Sequence, residues 1–330
     1  MERFENALAA ALGVPHVVAV SNGTAALHLG YLALGIGPGD EVIVPGFSFL
    51  AAANVAIHIG ATPVFAEVDP QTWCLDAADV ERRLSPRTRL IVPVHTYGNV
   101  CDMDALRAVA TAAGTPILED AAEAFASTRG GKKAGSMGLM GTFSFHATKT
   151  ITTGEGGAVA TSDSSLDERM RLFRSHGMAT RRYWHEVHGH NFRLTNMQAG
   201  IGCAQLEHLD RIIRERARVR DRYMSRLSGR SGIQLQRFHD DVSPVLWAMA
   251  VSLDPDAFPQ GRDAVIGQLE MQSVETRPGF PAASEMTIYS CGPLPTCELV
   301  GRSVIVLPTF PTLADDEVDR ICHQLLELRA

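Results

Sequence analysis

The sequence predicts an α/β protein: a large domain over residues 1–215 with a mainly parallel sheet, and a smaller C-terminal α/β domain over 216–330. Three observations predict it. Short apolar runs rich in Val and Ile alternate with helical stretches as far as Thr161, the pattern of parallel βαβ units. Those runs are short and mainly apolar, as in a sheet covered on both faces. A long amphipathic stretch then leads into a second, shorter alternation.

Residues 3–12 form a short amphipathic helix with Phe4, Leu8 and Leu12 on one face. Val17–Val20 reads as a buried strand that ends at Ser21-Asn22-Gly23-Thr24, and a helix follows over Ala25–Leu34. The alternation repeats with strands at Glu41–Val44, Pro63–Val68, Arg89–Val94 and Pro116–Leu118. Helices separate them near Phe49–Ile59, Ala77–Leu84 and Met103–Ala113. Phe143–Phe145 and Ala158–Thr161 read as further strands. Arg181–Asn196 is a polar loop holding three histidines and a tryptophan. A helix is expected from Met197 to Leu227, long enough to bridge two domains. Beyond it, Val245–Leu253 and Val304–Leu307 read as strands and Asp263–Met271 as a helix. A capping box at Thr312-Leu-Ala-Asp315 starts the last helix, with Val318, Ile321, Leu325 and Leu326 inward.

The 330 residues are 45% hydrophobic and 20% charged, with net charge −7. No basic block marks a nucleic-acid surface. No apolar run approaches the ~20 residues that span a bilayer. The N-terminus lacks the apolar core of a signal peptide, and the six cysteines form no Cys-x-x-Cys pair. The composition predicts a cytoplasmic protein with reduced thiols and no metal site. The loop histidines 185, 188 and 190 follow no helical ligand spacing.

Chemistry gathers at three places in the first domain. The turn Ser21–Thr24 joins a strand to a helix N-terminus, where free N–H groups and the helix dipole favour an anion and Gly23 lets it come close. An N-cap alone would explain the same turn. Asp120 follows the strand Pro116–Leu118, where ligands of such sheets bind. It too could serve only as a cap. Lys149 stands after the run Phe143–Phe145 and before the hinge Gly154-Glu155-Gly156-Gly157. Lysine is the side chain that forms Schiff bases with carbonyl compounds. A phosphate cradle, a carboxylate and a lysine together suit pyridoxal 5′-phosphate, whose pyridine nitrogen needs an anion and whose ring needs an aromatic neighbour. Phe49, beyond the strand Glu41–Val44, is placed to be that neighbour.

Five stretches carry a resemblance: S-N-G-T-A-A-L-H-L from Ser21, G-P-G-D-E-V-I-V-P from Gly37, E-D-A-A-E-A-F from Glu119, S-F-H-A-T-K-T-I-T-T-G-E-G-G from Ser144, and G-H-N-F-R-L-T-N-M-Q-A from Gly189. Together they resemble the DegT/DnrJ/EryC1/StrS sugar aminotransferases, enzymes of PLP-dependent transferase fold type I. C-D-M-D, R-Y-W-H-E-V-H-G-H-N and V-E-T-R-P look most like the perosamine synthases of that family, which aminate GDP-4-keto-6-deoxymannose. The resemblance implies that L-glutamate donates an amino group that passes to a keto sugar. It implies that Lys149 bonds the cofactor and then shuttles the proton, and that Asp120 pairs with the pyridinium. Glu123 would sit near the ring edge. Gly23, Thr24 and Ser144 would hold the phosphate, and Asn191 would reach the phosphate of a partner subunit, making a homodimer with shared sites.

Two departures stand out. The chain begins further along than members of that family do, which leaves the substrate site more open or puts the true start upstream. Ser284 occupies a position where the family often carries His. Among other readings, a dehydratase of the same family would replace Lys149 with His. A PLP-binding regulator without turnover is disfavoured by the intact Lys149 and Asp120 but kept open by the short N-terminus. A Rossmann dehydrogenase lacks its G-x-G-x-x-G turn. An aminotransferase acting on another keto sugar or an aminocyclitol precursor stays open.

Overall fold

The computed structural model describes residues 1–330. Its main sheet joins a three-stranded and a four-stranded part. The strand order runs Thr62–Ala66, Glu41–Pro45, Thr88–Ile91, Leu118–Asp120, Met140–Ser144, Gly157–Thr161, His16–Val20. Isolated parallel bridges, Ile91 to Ile117 and Val94 to Asp120, connect the two parts. The first five strands are parallel, and Gly157–Thr161 runs antiparallel to both its neighbours.

The apolar strands follow from burial on both faces. Val18, Val20, Val42 and Val44 enter one core, whereas Val17, Ala19 and Ile43 enter the other. The helix Gly23–Leu34 packs on the first face. The helix Glu2–Leu12 packs on the second, with Phe4, Leu8 and Leu12 buried as expected. Phe4 is fully buried, its ring 5.5 Å from that of Phe145. Truncating it to Ala would cost about 3–5 kcal/mol.

A separate core of 18 residues lies between Val219 and Leu325, around the antiparallel order Ile233–Leu235, Met249–Leu253, Val304–Leu307, Arg277–Pro278. The helix Leu209–Leu227 connects the cores. Leu209, Ile212 and Ile213 pack on the large unit, and Val219, Tyr223 and Leu227 belong to the 18-residue core. The expected boundary at 215/216 falls within this helix.

Four expectations need correction. The single helix Met197–Leu227 is two, Asn196–Glu207 and Leu209–Leu227, broken at His208. The two halves answer to different partners. Gly202 of the first meets Phe4, where an added Cβ would come within 2.4 Å of the ring, and the second packs on the last helix. The strand expected over Val245–Leu253 begins only at Met249, because the chain before it turns Val245 into a core of the large unit, Leu246 into the 18-residue core, and Trp247 and Ala248 to a cleft. The strand expected over Pro116–Leu118 lies at Leu118–Asp120, so Asp120 is its last residue. Thr312 caps no helix. The last helix is Asp315–Glu327, and the Glu317 side chain accepts from the Ala314 N–H. Sequence reading also missed the helices Ser164–Arg174 and Pro295–Ser303.

No helix is long and apolar enough to cross a membrane.

Candidate active site

A cleft of about 1870 Å³ opens at the carboxyl ends of Leu118–Asp120 and Met140–Ser144. The two strands are parallel and in register, Asp120 opposite Thr142, so Asp120 and Ser144 emerge on the same side. The helix Gly23–Leu34 aims its N-terminus into the same space. Asn22 caps it, and the Asn22 Oδ1 accepts from the Ala25 N–H at 2.8 Å. The N–H groups of Gly23 and Thr24 have no intrahelical acceptor. A Cβ on Gly23 would come within 2.9 Å of the Ser144 Cβ and 3.3 Å of its Oγ. The concavity between helix and strand therefore exists only because residue 23 has no side chain.

Lys149 hangs over this floor, its side chain 14% exposed, with Nζ 3.8 Å from Glu123 Oε1. Glu123 is buried, and its Oε2 accepts from the Tyr97 N–H at 2.9 Å. Asp120 is buried, and its Oδ1 accepts from the Ala122 N–H at 3.0 Å. Burial pushes the Lys149 amine below its ordinary value, although the carboxylates of Glu123 and Asp120 pull it back up. Burial also pushes Glu123 up to about 7 against the pull of Lys149, and raises Asp120. All three shifts have desolvation as their largest cause and oppose charge in a dry site. A cation beside Asp120 would reverse its shift.

Gly23, Thr24, Phe49, Asp120, Glu123, Ser144 and Lys149 all line this one cleft. Phe49 stands at its edge, 63% exposed, with its ring 6.3 Å from that of Phe280. Asn191 does not join them. It is exposed and bridges to Ser175 on the loop side. In that loop His185 Nδ1 lies 2.7 Å from the His176 carbonyl oxygen, and His190 stacks on Phe192. Tyr183 and Trp184 are exposed.

Sequence reading missed three cleft residues. Tyr97 has φ 60°, a strained conformation for an aromatic residue, and it turns its N–H onto Glu123. Gly98 follows it because the chain at Val245 comes so close that a Cβ would meet the Val245 carbonyl oxygen at 2.5 Å. Trp247 lies over Lys149, and Arg216 is buried behind both. The left-handed pair Tyr97-Gly98 had a signal in the sequence, the Tyr-Gly-Asn turn after Val94. Trp247 and Arg216 had none, since their roles depend on contacts between distant segments.

The chain matches the DegT/DnrJ/EryC1/StrS aminotransferase family over residues 1–326. It belongs to that family. GDP-perosamine synthase of Caulobacter vibrioides is 44% identical over 98% of this chain and 88% of its own. GDP-perosamine synthase of Escherichia coli O157:H7 is 40% identical over 99% and 89%. Among solved structures, DesV of S. venezuelae is 37% identical with TM-score 0.91, covering 99% of this chain and 88% of its own. The fold is thus that of PLP-dependent transferases of fold type I, and the chain is a PLP-dependent sugar aminotransferase. The cleft fits that cofactor. The concavity below Gly23 suits a phosphate, the buried Asp120 suits a pyridinium, and the Lys149 amine suits an aldehyde.

Proposed function

We propose that this enzyme transfers the amino group of L-glutamate to the 4-keto carbon of a nucleotide-linked 4-keto-6-deoxyhexose, a perosamine-type reaction. The observation that carries the reading is the cleft itself. Lys149, Asp120 and Glu123 meet beside an anion cradle in a chain 39 to 44% identical to three GDP-perosamine synthases. Over the whole cycle L-glutamate becomes 2-oxoglutarate, and the sugar carbonyl becomes an amine.

When bound, pyridoxal 5′-phosphate supplies the carbonyl carbon that takes up the amino group and a ring that accepts electron density. The N–H groups of Gly23 and Thr24, with the Ser144 hydroxyl, hold its phosphate. Asp120 holds a proton on the ring nitrogen through charge. Phe49 and Glu123 would be the aromatic and acidic neighbours of the ring. Lys149 would hold the aldehyde through its amine, and as a free amine it would serve as the proton carrier. Burial lowers its basicity and so shifts the amine toward the neutral form that a general base requires.

The same reading covers assembly. Asn191, outside its own chain's cleft, serves the phosphate site of a second copy, so the active unit is a homodimer. Tyr183 and Trp184 amid polar neighbours have interface composition. Residues 1–215 and 216–330 act as the large and small domains, and the enzyme works in the cytoplasm.

The test is a half-reaction screen. Enzyme loaded with pyridoxamine phosphate is mixed with GDP- and dTDP-linked 4-keto-6-deoxy sugars. Return of the pyridoxal absorbance with the GDP sugar supports the reading. Return only with a dTDP sugar or an aminocyclitol precursor moves the enzyme to another branch, and no return with any keto sugar overturns transfer.

A further inference from the structure

Trp247 has no part in the roles above, yet its ring packs against the reacting amine as closely as the Glu123 carboxylate does. Lys149 Nζ lies 3.8 Å from the centroid of the Trp247 ring. Every part of that tryptophan is fixed. The indole N–H donates to the Thr148 carbonyl at 3.0 Å, and the backbone N–H donates to the Tyr97 carbonyl at 3.2 Å. The ring lies parallel to that of Tyr97, 6.2 Å away at 13°. Arg216, 4% exposed, donates through one nitrogen to the Leu246 carbonyl at 2.9 Å and the Trp247 carbonyl at 3.4 Å. Its other terminal nitrogen donates to the Lys149 carbonyl at 3.4 Å. A single buried guanidinium thus ties the backbones of the lysine and of the ring beneath its amine.

The groups facing Lys149 leave the ring a definite task. Glu123 and Asp120 approach from the strand end, with Glu123 at 3.8 Å, too far for a hydrogen bond. His146 and Glu155 pair with each other at 3.7 Å on the outer side. Val245–Ala248 brings no charged side chain, and Arg216 faces the main chain. In a transamination cycle the lysine amine must leave the carbon it is bonded to and later return. An amine captured by a carboxylate at hydrogen-bond distance would be slow to return. An aromatic face attracts the ammonium without offering an acceptor for its proton.

We propose that Trp247 is the platform on which the Lys149 amine rests whenever it is not bonded to a carbonyl carbon, and that Arg216 is the positioning residue that holds platform and lysine in register. This rests on the reading of Lys149 as the reacting amine, and the experiment tests the two separately.

The chain has three lysines, Lys132, Lys133 and Lys149, so amine reactivity can be read at each by peptide mass spectrometry. Cofactor-free protein is labelled with trace acetic anhydride across a pH series, with Lys132 and Lys133 as internal references. Protection of Lys149 by added pyridoxal phosphate in the parent protein confirms it as the reacting amine; no protection overturns that reading. In Trp247→Leu the ammonium loses its aromatic face while the carboxylates stay. Labelling of Lys149 near neutral pH should then rise roughly three- to tenfold over the references, as its titration moves to lower pH. Trp247→Phe, which keeps a ring, should rise less. Arg216→Gln should broaden or shift the same profile, and Arg216→Lys should partly restore it. An unchanged profile in Trp247→Leu, or a shift to higher pH from admitted water, overturns the platform. If Trp247→Leu fails to fold, Trp247→Met removes the aromatic face in its place, and an unchanged Lys149 profile there overturns the platform.

Discussion

Gly23→Ala isolates the anion cradle. Alanine suits a helix better than glycine, by up to about 1 kcal/mol in an interior and less in a first turn, so the backbone gains. The new Cβ would stand 2.9 Å from the Ser144 Cβ, a distance folded proteins do not tolerate. Either Ser144 retreats or the helix N-terminus lifts, and overpacking of this kind costs about 1–3 kcal/mol. The same methyl occupies the space a phosphate oxygen would enter. Binding of pyridoxal 5′-phosphate to the cofactor-free protein should weaken by about ten- to a hundredfold, a loss of ~1.4–2.8 kcal/mol. The assay is an absorbance or fluorescence titration with pyridoxal 5′-phosphate, run beside pyridoxal, which has no phosphate. The variant should lose its discrimination between the two ligands while binding pyridoxal about as well as the parent. Equal losses for both would place the damage at Lys149 or in the fold, and no loss for either would put the phosphate elsewhere.

Three further outcomes follow from the site. Asp120→Asn should fold normally but lose ~3 kcal/mol of transition-state stabilisation, about a hundredfold in either half-reaction by stopped-flow absorbance; parental rates would reduce Asp120 to a cap. Between the ordinary carboxylate range and about 7 the folded chain keeps a proton at Glu123 that the unfolded chain has lost, so stability falls as pH rises through that window. In cofactor-free protein, Glu123→Gln should therefore be more stable than the parent by about 3 kcal/mol near pH 8 and by nothing near pH 4, as denaturant unfolding would show. Inactive Lys149→Ala subunits mixed with Asn191→Ala subunits should regain part of the activity, because one site of the mixed dimer inherits neither lesion. No recovery despite subunit exchange would assign Asn191 to its own chain's site.

What was legible in the sequence is what depends on local chemistry. Strands buried on both faces read as near-continuous apolar runs, so Val17–Val20 and Val42–Val44 within Glu41–Val44 announced themselves. Asp120 and Gly23 stand at strand and helix ends, where ligands of such sheets bind, and the structure brings both to the cleft that Lys149 lines. The break at His208 was hidden because no glycine or proline marks it. It goes with a change of packing: the first half closes Gly202 on Phe4, and the second leads from the large unit into the 18-residue core. Trp247 was read as the interior of a strand. Its place over Lys149 depends on Arg216, Thr148 and Tyr97, three segments far apart in the chain. The helix Pro295–Ser303 did carry a signal, a proline in its first turn.

The central claim is that Lys149 is the amine that bonds pyridoxal 5′-phosphate beside Asp120 and Glu123. Borohydride reduction of the purified enzyme, followed by digestion and peptide mass mapping, tests it directly. With only three lysines in the chain the result is unambiguous. The enzyme should be yellow, bleach on reduction and carry one phosphopyridoxyl group per chain, on the peptide containing Lys149. A group found on Lys132 or Lys133, or a protein that takes up no pyridoxal 5′-phosphate at all, would contradict the claim.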